Sequence, residues 1–167
     1  MSEDIQGWFA GRVPGEWFID PVEVTTDREE VLVVGRLAPP RLEEGASGDA
    51  VAAAEHARIE GHRSDTRDQR IRIAQEAEAR FGRKVSWGAR CGESGMLFTH
   101  LAVATMTRLR LKERLVLDTL IDAGVARSRS DAVAWCVRLV AKHQDEWLGE
   151  LRDALGAVEE VRKRGPE

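Results

Sequence analysis

The chain has 167 residues, 43% of them hydrophobic, enough for one domain or two small ones with a packed core. Basic and acidic residues nearly balance, 25 against 29, which excludes a polycation and confines any nucleic-acid surface to a local patch. No run approaches the ~20 apolar residues of a membrane span, and Met1 to Gly7 lack a basic region leading into an apolar run, so a cytoplasmic protein without a secretory signal is expected.

Residues 8–36 read as β-structure. The stretch WFAGRVPGEWF sets a Pro-Gly break between two aromatic pairs, Trp8–Phe9 and Trp17–Phe18, which are expected in the core. VEVTTDREEVLVVGRL places two β-branched runs around a polar Thr-Asp-Arg-Glu turn, which predicts a hairpin. Residues 37–50 carry Pro-Pro, Gly, Ser and acids and read as a linker or long loop. Residues 51–82 predict one or two helices, with Gly61 or Ser64 as the break and Gly82 as the stop. Ile71, Ile73–Ala74, Ala77 and Phe81 form the apolar stripe. Arg58, Arg63, Arg67, Arg70, Arg72 and Arg80 alternate with acids, as on a solvated, ion-paired face, with RNA binding through this helix as the functional alternative. A second β segment is expected from Lys84 to Leu109. The N-terminal 100 residues thus form a hairpin, a helix and a returning strand, and belong to no family evident from the residues.

Between 101 and 109 the pattern alternates. Leu101, Val103, Thr105, Thr107 and Leu109 share one face, while Ala102, Ala104, Met106, Arg108 and Arg110 share the other. The period then becomes helical, with Val116, Leu117, Leu120 and Ile121 on one side and Gly124 as the stop. A continuous helix from about Thr99 to Ala123 is the rival reading. In VARSRSDAVAW, Ser128 precedes Asp131 by three residues: a capping box in which Ser128 accepts from a first-turn amide and Asp131 returns to the Ser128 N–H. A helix starting at Ser128 or Ser130, flanked by Arg127 and Arg129, makes a partial positive charge suited to phosphate. Val133, Cys136, Val137 and Val140 should face inward. Leu148, Leu151, Leu155 and Val158 then continue as a short seam in an extended C-terminal helix, and Trp135 and Trp147 read as core or interface aromatics.

This order of strand, helix, Gly turn, Ser-Arg-Ser cap and second helix resembles the ribbon-helix-helix DNA-binding domain, above all its antitoxin-like branch with G-x-x-x-S-x-S-[ED]. Leu109, Gly124, Ser128, Ser130 and Asp131 keep that spacing, and the resemblance covers residues 102–142. Glu113, Thr105, Thr107 and Ala134 depart from the pattern. The resemblance implies an α+β chain of three parts: 1–100, a ribbon-helix-helix unit 101–143 and a helical extension 144–167. It implies a homodimer through paired strands, with Ala104, Met106, Arg108 and Arg110 turned to the bases of double-stranded DNA in the major groove. Arg127, Ser128, Arg129 and Ser130 would hold a backbone phosphate. From Arg108 to Lys142 there are eight basic residues against four acidic ones, which agrees. A transcription regulator or nucleoid-associated protein follows, and the alternative is a protein-interaction module with a protein partner.

Enzyme chemistry finds no foothold. There is no Gly-rich phosphate loop, HExxH or GxSxG, and His56, His62, His100 and His143 lack metal-ligand spacing. Glu29–Glu30 and Glu43–Glu44 read as solvated loop acids. Cys91 and Cys136 lie apart without a CxxC and read as reduced thiols, Cys136 as a small buried hydrophobe. No metal or cofactor is expected.

Overall fold

The structure is a computed structural model that describes residues 2–43 and 45–164. Met1 and Glu44 lie outside the described residues. The fold is α+β with a C-terminal helix, and the chain divides into two compact units, with the break between Ala104 and Thr105.

The first unit opens with α1, Ser2–Arg12, where β-structure was expected around Trp8 and Phe9. Two aromatics in a row raise β-propensity, but the burial of Ile5 and Phe9, four residues apart, needs a helix. Glu3 and Asp4 suit its first turn, and Pro14 follows its end. The hairpin forms as read, from β1, Glu23–Thr26, and β2, Glu30–Arg36. Asp27 makes its turn: one carboxylate oxygen accepts from the amides of Glu29 at 2.8 Å and Glu30 at 2.7 Å, which holds the Asp27 carboxyl below its ordinary range.

Two helices cross from β2 to β3: α2, Gly48–Asp65, and α3, Arg67–Phe81. The break falls at Thr66, not Gly61 or Ser64. Thr66 gives both its amide and its hydroxyl to the His62 carbonyl, at 3.1 and 2.6 Å, which ends α2. Gly82 stops α3 as expected. β3, Lys84–Cys91, then pairs parallel to β2 and antiparallel to β4, Ser94–Leu97, giving a four-stranded sheet in the order β1-β2-β3-β4.

Val31, Val33, Val85 and Trp87 share one sheet face and pack with Ile5, Phe9, Trp17, Ile73 and Ala77 from α1, the following loop and α3. The aromatic pairs are therefore core residues, with Trp8 and Phe18 at its margin. Cys91 is buried in a smaller cluster with Leu37, Ile59 and Ala89, and burial pushes its thiol pKa up. Helix α2 also fixes the β3–β4 turn. The buried Glu55 carboxylate accepts from the Ser94 amide at 3.2 Å, and Gly92 in that turn has φ +55°. A Cβ on Gly92 would lie 1.9 Å from a Glu55 oxygen, so the turn needs glycine both for its backbone and for its space.

The β segment expected to run to Leu109 ends at Leu97. Residues 99–110 hold neither helix nor strand pairing. The rival helix from Thr99 does not form either.

The second unit contains α4, Leu111–Asp122, α5, Arg129–His143, and α6, Asp145–Arg164. Helix α4 starts where the Arg110 amide donates to Glu113, so the residue that departed from the family pattern serves as a cap. The helix ends in a Schellman turn: Gly124 has φ +73°, and the amides of Gly124 and Val125 reach the carbonyls of Ile121 and Leu120, both at 2.9 Å. Gln144 separates α5 from α6, where one continuing helix was expected. Leu117, Ala126 and Ala132 make the buried core, with Leu109, Leu120, Ile121, Val133 and Cys136 packed around it. Val116, Val137 and Val140, expected inside, are exposed. A helix pair has one shared face, and these residues lie off it.

Candidate nucleic-acid interface

Ser128 has an extended backbone, and its hydroxyl accepts from the Asp131 amide at 3.2 Å, as a capping residue should. The Asp131 carboxylate returns one residue earlier than expected, accepting from the Arg127 amide at 3.0 Å. The amides of Arg129 and Ser130, in the first turn of α5, have no intrahelical acceptor by position. Ser128, Arg129 and Ser130 are all exposed. The anion-binding end expected of this helix is therefore open to solvent.

Its two arginines differ. The Arg127 side chain is almost wholly exposed, with its guanidinium 3.8 Å from Asp131. Arg129 is committed: Nε and Nη2 each donate to the Asp118 carboxylate at 2.8 Å, a fork that ties the start of α5 to α4. The pair holds the Asp118 carboxyl below its ordinary range and raises Arg129. The sequence presents Arg129 as a free cation because the acid that holds it lies eleven residues upstream, on another helix.

Ala104, Met106, Arg108 and Arg110 all lie exposed in the stretch without pairing, and Met106 is 98% exposed. Leu109, from the opposite face of the alternating pattern, is packed against the second core. Arg114 anchors the entry to α4 by donating to the Leu109 carbonyl at 2.6 Å. The stretch is thus held at its end by Leu109, while residues 101–108 are exposed on both phases of the alternation.

The arginine-rich helix in the first unit does not present a continuous basic face. Arg70 is buried: Nε donates to the Thr66 hydroxyl at 3.0 Å, Nη2 donates to the Arg63 carbonyl at 2.6 Å, and the guanidinium lies 4.7 Å from the Phe98 ring centre. It satisfies the end of α2 and is no surface cation. Arg67 pairs with Asp68, and Arg80 lies over Phe81. Of Arg67, Arg70 and Arg72, the central candidates for RNA, only Arg67 and Arg72 are exposed. Among the described residues no group of acids, histidines and cysteines could hold a metal ion, and no helix is long and apolar enough to cross a membrane.

The family described as Rv1265-like protein, N-terminal domain, matches residues 3–97, and the Mb1296 C-terminal domain matches residues 110–162. Neither description names the ribbon-helix-helix fold. The boundary between the matches falls in the stretch that joins the two compact units. Among curated proteins, the chain is 52% identical over 160 residues to Uncharacterized protein Mb1296 of Mycobacterium bovis. It is equally similar to Uncharacterized proteins MT1303 and Rv1265 of Mycobacterium tuberculosis, and each alignment covers 96% of this chain and 69% of the relative. No solved structure matches. With residues 3–97 matched by its family model and 52% identity to these relatives over 160 residues, the chain belongs to the Rv1265-like protein family.

Proposed function

We propose that the protein is a dimeric DNA-binding protein, a transcription regulator or nucleoid-associated protein. In this reading residues 102–110 of two chains pair as an antiparallel ribbon in the major groove, and the N-terminus of α5 meets a phosphate. One observation carries it: an exposed, unpaired stretch with alternating faces leads directly into a helix, a Gly turn and a Ser-capped helix. A second chain would give that stretch the ladder that one chain cannot supply. Arg108 and Arg110 would then lie on the outer face as bidentate readers of guanine, with Ala104 and Met106 limited to apolar contact. Few polar readers imply modest sequence preference. The phosphate would meet the Arg129 and Ser130 amides and the Arg127 side chain, since Arg129 is held by Asp118.

The test is fluorescence anisotropy of a random-sequence duplex at two salt concentrations, with the wild type beside an Arg108→Ala/Arg110→Ala variant. Wild-type affinity should fall steeply with salt. The variant should bind more weakly, since it loses the two side chains that face the bases. No wild-type binding at low salt would overturn general DNA binding and bring a protein partner forward. Equal binding by both proteins would place the contact outside the ribbon.

A further inference from the structure

The apolar face of α6 is exposed along most of its length. Trp147, Leu151, Leu155, Val158 and Val161 are each 42–64% exposed, while Leu148 is half-buried. At 3.6 residues per turn they fall in one arc of about 140°, running some 22 Å along the helix. Two further residues share the arc, Ala154 at its middle and Arg162 at its C-terminal end.

These positions are symmetric about the midpoint between residues 154 and 155. Reversing the helix carries Leu151 onto Val158, Leu148 onto Val161 and Ala154 onto Leu155. It also carries Trp147 onto Arg162. We infer that α6 pairs antiparallel with α6 of a second copy of this chain, in the register set by that symmetry. Every apolar residue of the arc except Trp147 then meets an apolar partner. Arg162, otherwise a charge within the seam, lies across the Trp147 ring of the other copy as a cation–π contact. A parallel pair would set Arg162 against Arg162 at one end and leave Trp147 facing Trp147 at the other. Net charge leans the same way: residues 145–154 carry four acids against Arg152, while residues 155–164 carry Arg162, Lys163 and Arg164 against two acids. The seam of about two heptads is short for a coiled coil standing alone, so it works as one contact within a larger assembly. The pairing rests on α6 and does not require the DNA reading.

The experiment is disulfide trapping in the full chain under mild oxidation, read on a non-reducing gel with the wild type as control for Cys91 and Cys136. Trp147→Cys and Arg162→Cys are made singly and co-expressed, and Leu148→Cys with Val161→Cys repeats the test without disturbing the cation–π pair. Bridging requires Cα atoms within about 7 Å, so orientation decides the pattern. The co-expressed pairs should give cross-linked dimer at least tenfold above either single variant. Cross-linking of each single variant with itself would show a parallel pair and overturn the inference. Absence of cross-links in both co-expressed pairs would overturn it as well. In sedimentation, Leu155→Glu should weaken self-association at least tenfold with circular dichroism unchanged; unchanged association would also overturn the pairing. If the pairing fails while salt-dependent DNA binding persists, the DNA reading stands alone.

Discussion

His62 lies among rings: its centroid is 5.5 Å from that of Trp17, 5.0 Å from Phe18 and 6.3 Å from Phe98, and its Nε2 has no hydrogen-bond partner. Burial, helped by the nearby Arg70 charge and opposed by Asp65, lowers its pKa from 6.5 to about 4. The folded state favours the neutral ring, so the unfolded chain takes up the proton first as pH falls. The stability contributed by neutral His62 is complete above 6.5 and is lost between 6.5 and 4. Asp27 and Glu76, held below their ordinary 3.8 and 4.5, act at lower pH, which leaves the upper part of that window to His62. The urea midpoint followed by tryptophan fluorescence should fall between pH 6.5 and 5, and His62→Phe should flatten that fall. An equally steep fall in the variant would assign it to other groups. The sequence showed His62 without metal-ligand spacing but not its place among rings, because Trp17 and Phe98 lie far from it in the chain. Arg70 hid for the same reason. Its charge spelled a surface, whereas its partners are a helix end and Phe98.

At the scale of elements, local signals were legible where they name backbone geometry. The Asp27 turn, the Gly82 and Gly124 stops and the Ser128 cap all lie where the residues put them. Helix α1 was not legible, because its aromatics mimic a strand until the core decides which face they bury. The C-terminal end of α4 offers a clean test. Gly124 has φ +73° with open space around a would-be Cβ, so Gly124→Ala adds backbone strain and no clash. Urea unfolding of the second unit should show a loss of roughly 1 kcal/mol. No loss would mean the turn relaxes without its left-handed residue.

The whole molecule joins unequal halves. The first unit encloses a core between its sheet and helices, whereas the second buries only Leu117, Ala126 and Ala132 fully among its described residues and leaves Leu111, Leu115, Val137 and Leu139 exposed. In the proposed reading a second chain covers these side chains, through the ribbon, α6 or both. Melting should resolve two transitions. The one belonging to the second unit should rise with protein concentration while the other stays fixed. A second transition indifferent to concentration would show that one chain suffices. The composition could not reveal this inequality, since the apolar fraction does not say which side chains share a face.

The contact between Glu55 and Gly92 also constrains how this chain can change. A side chain at position 92 has no room while the carboxylate of residue 55 fills that space. Shortening residue 55 first would clear it, and the reverse order passes through a clash on top of a disfavoured backbone. Two single steps to the same double variant are thus unequal: the path through position 55 descends gently, and the path through position 92 begins at a wall.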